Sequence, residues 1–222
     1  MIHIEKGPAP AALAQAVREM KTTPDATVGY RNFGGELKQA VKESLVAEQH
    51  GLCAYCMRRI GSGRRSSIEH VVAQHGIDGA CNLTESLDYG NMLAVCVPKD
   101  GVLTCDKSRG NQMLTVNPLD EKTLSGIKYH YSGLISSDDP DVDHDLNAVL
   151  NLNDYDAFLP QNRNKVWDSV NRKISEFAKH GSRENKRNKC QKLKDDLLKQ
   201  EQYAEFIGVI LFRLDHFIRK FS

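Results

Sequence analysis

The sequence predicts an α+β protein in which a metal-stapled core of short strands sits between an N-terminal helical extension and a C-terminal helical region. Two observations carry that prediction. Cys53, Cys56, Cys96 and Cys105 bracket a segment in which short apolar pieces alternate with loops, several of them rich in Gly and Ser. On either side, apolar residues recur at the three-to-four spacing of amphipathic helices. A chain of 222 residues, 40% hydrophobic and 27% charged, can also bury a core of its own. The expected organisation is a helical extension over 1–50, the core over 51–135, an acidic loop or linker over 136–159 and a helical region over 160–222.

Residues 1 to 8 alternate apolar and polar side chains as a short edge strand does, and Gly7-Pro8-Ala9-Pro10 breaks the alternation. Leu13, Val17 and Met20 predict a helix from Ala11 to about Met20, ended by the Thr22-Thr23-Pro24-Asp25 turn. After Gly34-Gly35, the positions Leu37, Val41, Leu45 and Val46 predict a second helix, closed by His50-Gly51, where glycine suits a left-handed C-cap. That helix delivers the chain into Cys53. In the core, Ile68 to Val72 reads as a strand, Leu87 to Val95 as a strand or turn carrying Asn91, and a helix is expected near Cys105.

Leu114, Val116, Ile127, Tyr129 and Tyr131 are spaced by two around a polar turn, which predicts a β-hairpin within 113–135. The Pro-broken acidic run from Ser136 to Asp145 predicts a solvated loop, since the acid, Gly and closing Glu order of an EF-hand is missing. From Pro160 the pattern is helical. Val166, Val170, Ile174 and Phe177 mark one helix, Gly181-Ser182 a break, and Tyr203 to Phe221 an apolar last helix. Between these, Arg183 to Lys194 is the densest basic run, read first as a solvated helix face and second as a phosphate contact.

No stretch approaches the roughly 20 apolar residues of a membrane span. The opening Met-Ile-His-Ile-Glu-Lys lacks the apolar run of a signal peptide, so a cytoplasmic protein with no membrane partner is expected. In a reducing compartment, six cysteines point to metal rather than to disulfides. A formal net charge of +1 means that any phosphate-binding surface must be local.

Cys53-x2-Cys56 is a knuckle that supplies two ligands of a tetrahedral structural zinc. Cys96 and Cys105 complete the set if Val97 to Thr104 folds back, with Cys81 the rival for one of those places. Cys190, in the basic helix, reads as unpaired. Glu69 and His70 are adjacent, so on a strand they point to opposite faces. A lone histidine is usually structural; this one has an adjacent acid, a downstream Asn91, and Asp106 beside the last cysteine. Hydrolysis of a phosphodiester needs a base for water, a hard cation at the phosphate and a positive group for the charge that develops. His70 suits the base, being partly neutral at pH 7. Glu69 and Asp106 can offer oxygens to Mg²⁺ or Mn²⁺, and Lys107 or Arg109 could clamp the phosphate.

These residues resemble the HNH endonuclease family, whose core is a ββα-metal motif. The likeness covers about residues 52 to 110, with Cys53-x2-Cys56, Glu69-His70, Asn91 and Cys96…Cys105-Asp106-x2-Arg109 in the family order. It implies that His70 activates water, that Asn91 orients His70 and its loop, and that Glu69 joins Asp106 in holding one divalent cation. The motif's final letter, usually His or Asn, is Asp106, and the last position, commonly Lys, is Arg109.

A narrower set of phrases is similar to PtuB, the HNH component of Septu and retron-associated antiphage systems. They are Ile2-His-Ile-Glu-Lys-Gly-Pro8, Glu48-Gln-His-Gly-Leu-Cys-Ala-Tyr-Cys56, Ile68-Glu-His70, Leu87-Asp-Tyr89, and Leu150-Asn-Leu-Asn153 with Asn162-Arg163. After Glu69-His70 the chain reads Val71-Val72-Ala73-Gln74 where that subfamily usually has an aromatic and a Pro-Lys. The likeness implies an ABC-type, PtuA-like ATPase partner and, in retron-associated forms, a reverse transcriptase with its RNA–DNA product. The outcome it implies is cleavage of DNA or RNA on phage infection. Two other readings stand beside it: a zinc-stabilised nucleic-acid- or protein-binding subunit without catalysis, and a regulatory subunit whose helical tail carries assembly.

Overall fold

The computed structural model describes residues 1–22, 33–63, 65–73, 86–97, 101–179 and 181–221, which form helices and two small antiparallel sheets. Residues 1–10 have no regular structure. Met1 and Ile4, three residues apart rather than two, are buried, and the Ile4 N–H bonds to the Pro118 carbonyl at 2.9 Å, so the expected edge strand is an irregular packed segment. Helix α1 spans Ala11–Thr22; the turn expected after it lies outside the described residues. Helix α2, Gly35–Glu48, buries Val41 and Leu45. It ends on two left-handed residues, His50 at φ 52° and Gly51 at φ 77°, which turn the chain into the Cys53–Cys56 knuckle.

Strand β1, Ser66–His70, pairs antiparallel with β2, Met92–Cys96, with Ile68 opposite Ala94. β1 starts and stops two residues before the expected Ile68 to Val72 because Asn91 occupies the backbone that follows it. The Val71 N–H bonds to the Asn91 carbonyl at 2.9 Å. The Asn91 amide accepts from the Val72 N–H at 2.7 Å and donates to the Val72 carbonyl at 3.0 Å. Asn91 itself closes a single 3-10 turn, Tyr89–Asn91, capped by the Asp88 carboxylate. β2 is buried at all five positions, as its unbroken apolar sequence requires. Its outer edge meets a side chain: Gln49 accepts from the Ala94 N–H at 2.7 Å and donates to the Ala94 and Leu52 carbonyls at 2.7 and 2.8 Å. The short helix α3, Asp106–Arg109, then completes a strand, strand, helix order.

The second sheet is displaced from the expected hairpin. It pairs β3, Ile127–Tyr129, with β4, Ile135–Ser137, while Leu114 and Val116 lie outside any strand. Asp120 takes the intervening residues into a one-turn helix α4, Glu121–Leu124, by accepting from the Lys122 N–H at 3.0 Å. The acidic run is not a solvated loop either. It forms α5, Pro140–His144, continued by a π turn over Asp145–Val149. Asp139 is the N-cap and Pro140 follows at the first helical position, a favourable start. Asp143 accepts from the Ser137 N–H at 2.9 Å, and buried Asp145 accepts from Thr115 and Val116 at 2.5 and 2.9 Å. These acids therefore satisfy backbone donors.

The C-terminal region is a bundle of α6, Leu159–Ala178, α7, Arg183–Leu198, and α8, Ile207–Phe221. α8 begins later than Tyr203 because the Tyr203 and Phe206 N–H groups bond to the carbonyls of His50 and Met57 at 3.1 and 2.9 Å, docking the connection onto the knuckle. Val170, Ile174, Cys190 and Leu214 form a second buried cluster, which makes Cys190 a core residue. At the root of α6, Arg163 is buried and donates to the Gly133 and Leu152 carbonyls at 2.6 and 2.8 Å and to the Asn153 side chain at 2.9 Å. Gly133 has φ 85°, and a Cβ there would lie 1.9 Å from the Pro160 carbonyl oxygen. Gly133→Ala should therefore cost on the order of 3 kcal/mol, combining a disfavoured φ with a backbone clash. A thermal melt unchanged from wild type would show that the hairpin does not hold α6.

Candidate metal centre and acid–histidine cluster

The knuckle, the end of β2 and the start of α3 bring four sulfurs together. The Sγ atoms of Cys53, Cys56, Cys96 and Cys105 lie within 4.8 Å of one another, and all four residues are buried. Cys105 reaches the set through an unusual backbone, φ 56° and ψ −133°, held by its N–H to the Leu150 carbonyl at 2.9 Å. The separations are 3.9 Å for Cys53–Cys105, 3.6 Å for Cys56–Cys96 and 3.7 Å for Cys96–Cys105. Zinc–sulfur bonds of about 2.3 Å place tetrahedral sulfurs roughly 3.8 Å apart. The four cysteines thus fit a tetrahedral metal ion such as zinc. Cys81 lies outside the described residues, and the set of four is complete without it. Crowding alone splits the thiols: hydrogen bonds with Cys105, Cys53 and Cys96 bring Cys56 well below the usual thiol range. Cys105, hydrogen-bonded to Cys53, Cys56 and Cys96 and deeply buried, is held well above it.

Next to this set lies a buried acid–base cluster. Glu69 accepts from the Tyr55 hydroxyl at 3.3 Å and forms an ion pair with Arg109. Arg109 is 1% exposed. Besides Glu69, its guanidinium donates to the Tyr55 hydroxyl at 3.3 Å and to the carbonyls of His70, Val71 and Gln112 at 2.8, 2.6 and 2.8 Å. Arg109 therefore faces inward, tying α3 to the end of β1, instead of facing solvent as the phosphate clamp expected from its position. Lys107 is the outward cation, 55% exposed and 3.7 Å from the Asp106 carboxylate.

Burial pushes the Glu69 carboxyl up to about 8, against the pull of Arg109, and a hydrogen bond to Asp106 raises it further. A cation beside such a carboxyl favours its ionised form. Asp106 is the more open of the two, with 18% of its side chain exposed. His70, on the opposite face of β1, is 4% exposed, and its Nε2 lies 3.1 Å from the Ser86 carbonyl. A carbonyl only accepts, so Nε2 carries the proton and Nδ1 the lone pair of the neutral ring. Burial lowers the His70 pKa below its usual 6.5, which keeps that neutral form at pH 7. Asp106 and Arg109 both act electrostatically on His70, so the two faces of β1 remain coupled.

Glu69, Asp106 and Arg109 thus meet on one side of β1, while His70 lies on its other face with Asn91 fixing the backbone directly after it. Among the described residues only the four cysteines form a group of three or more metal-ligating side chains. Tyr55 and Ser86 are partners that no sequence pattern marked. The stretches 2–8, 48–56 and 87–89 also meet in space: Lys6 pairs with Glu48, and Glu48 accepts from the Gly7 N–H at 3.2 Å and the Tyr89 hydroxyl at 3.0 Å. No family model matches the sequence, and neither does any curated protein.

Proposed function

We propose that this chain is a metal-dependent endonuclease of the HNH type, with a zinc-stapled ββα-metal core, that hydrolyses phosphodiester bonds of DNA or RNA. The observation that carries the proposal is the placement of Glu69 and His70 at the end of one strand, with Asp106 against Glu69, beside four cysteines on a strand–strand–helix unit. Such a nuclease would act as the effector of a Septu- or retron-type antiphage system, with a PtuA-like ABC-type ATPase, a reading supported by the sequence resemblance.

In this mechanism Glu69 and Asp106 would hold one Mg²⁺ or Mn²⁺, a hard cation that takes one or two carboxylates. When bound, the cation stabilises charge on the scissile phosphate. His70 is the base that accepts a proton from water, with its ring oriented by the Ser86 carbonyl. Asn91 positions His70 by holding Val72, and Arg109 positions Glu69. Lys107, paired with Asp106 and 55% exposed, is the side chain that meets the phosphate from solvent.

The test compares wild type with His70→Ala on DNA and RNA, with Mg²⁺ or Mn²⁺, with and without the ATPase, after circular dichroism and zinc content confirm folding. The variant should lose about 10²- to 10⁴-fold in cleavage rate, the usual contribution of a general base. Wild-type activity should fall only as pH drops below the ordinary histidine range, since the His70 pKa is lowered. Equal cleavage by both proteins would remove the base and favour a zinc-stabilised binding subunit.

A further inference from the structure

Charge is divided unevenly along this chain. Residues 159–222 carry fifteen Lys and Arg against eight Asp and Glu, a balance of +7, which leaves −6 on residues 1–158 and the total of +1. The near-neutral sum conceals a basic bundle on an acidic body. An acidic body with a carboxylate pair repels a polyanion, so a nuclease of this composition needs its attraction elsewhere.

α7 supplies the densest part of that attraction. Arg183, Lys186, Arg187, Lys189 and Lys192 occupy its first ten residues. Among the described residues, the only cation of α7 in an ion pair is Lys194, which meets Asp215 at 2.6 Å. A solvated helix face usually alternates its charges at three- and four-residue spacing. Here Arg183 and Arg187 are four apart, and Lys186, Lys189 and Lys192 are three apart, a like-charge pattern that disfavours the helix. The helix is held instead by the Ser182 cap and by Cys190, Leu193 and Leu197 in the bundle core.

The Lys194–Asp215 pair also sets the antiparallel register of α7 and α8. It brings the last turn of α8, with Arg219 and Lys220, level with Cys190 and Lys189 in the middle of α7. The same end feels a positive field: burial, then Arg213, Arg219 and Lys220, lower the pKa of His216.

We propose that this basic end of the bundle, centred on α7, binds the phosphate backbone of nucleic acid independently of the acid–histidine cluster. The identity of the polyanion rests on the nuclease reading; the surface rests on the charge pattern.

The experiment is fluorescence anisotropy of the full-length, zinc-loaded chain with labelled 30-base-pair DNA and 30-nucleotide RNA over a salt series. The R183E/R187E/K192E triple is compared with R18E/K122E/K128E, which changes the net charge equally on other surfaces. A Gln triple at 183, 187 and 192 guards against misfolding of the charge-reversed helix. At low salt the α7 variants should lose at least tenfold in affinity, the control less than threefold. The slope of log affinity against log salt should fall by about 2 to 3, at roughly 0.7 to 0.9 for each phosphate that is no longer neutralised. Equal losses in both triples, unchanged affinity, no wild-type binding at low salt, or binding only to phosphatidylserine vesicles would each overturn the proposal. His70→Ala should bind as wild type does. Its cleavage reads the nuclease assignment separately, so either idea can fail alone.

Discussion

Removing metal from the four-cysteine set should unfold the core. Cys53 and Cys56 follow the end of α2, Cys96 ends β2, and Cys105 precedes α3, so a metal held by these sulfurs would join three elements from separate parts of the chain. Structural zinc sites contribute apparent binding free energies of about 10–16 kcal/mol, comparable to the whole stability of about 5–15 kcal/mol of an ordinary domain. Without the ion, four buried thiols remain, and they cannot all ionise. Cys105→Ser, or chelation of the wild type, should therefore abolish the cooperative thermal transition of the core and release one zinc per chain. A Cys105→Ser protein melting within a few degrees of wild type, zinc-free, would show that the set is a cluster of core thiols.

Arg109→Ala should cost about 3–5 kcal/mol, the range for breaking a buried charge pair by removing one partner. The loss goes beyond the pair with Glu69, since the guanidinium also satisfies the His70, Val71 and Gln112 carbonyls and holds Tyr55. The pH dependence follows from Glu69. Its folded-state pKa, about 8, lies above the ordinary carboxyl value of 4.5. The folded form therefore binds the extra proton, and its stabilising effect is complete below the ordinary carboxyl range and lost as pH rises through about 8. In the variant the opposing pull of Arg109 is gone. The penalty should thus be smaller at pH 6, where Glu69 is protonated in both proteins, than at pH 9, where only the wild type has Arg109 to pair with the carboxylate. Urea unfolding of both proteins at the two pH values checks this, and an equal penalty at both would mean that Glu69 is ionised throughout.

Much of the helical framework was legible because periodicity reports which face is buried: Val41 and Leu45 on α2, and Val170 and Ile174 on α6, are buried where the spacing put them. The cysteine set was legible from the knuckle, but the return of Cys105 depends on a left-handed backbone that no local pattern announces. Asp139-Pro140 was a readable helix start, missed because the density of acids after it suggested solvent. The inward turn of Arg109 was not readable. Sequence position places it one turn after the last cysteine, yet only the tertiary meeting of α3 with the end of β1 decides which way it points. Glu69 and His70 alternate as strand residues should, and both are buried because β1 is covered on both faces.

The Gln49 amide has a consequence beyond local bonding. By engaging both the N–H and the carbonyl of Ala94, it occupies hydrogen-bonding positions that a further strand would use on the outer edge of β2. Exposed strand edges invite other chains to add themselves, the route to fibrils and to strand-exchanged dimers. Here Gln49 blunts that edge from within, together with the Ala54 N–H on the Ala94 carbonyl at 3.1 Å, Lys6 on the Met92 carbonyl at 3.0 Å and the Cys96 N–H on Cys53 Sγ at 3.3 Å. Addition of a foreign strand at Ala94 would first have to expel a buried side chain, which guards an unbroken apolar strand against self-association.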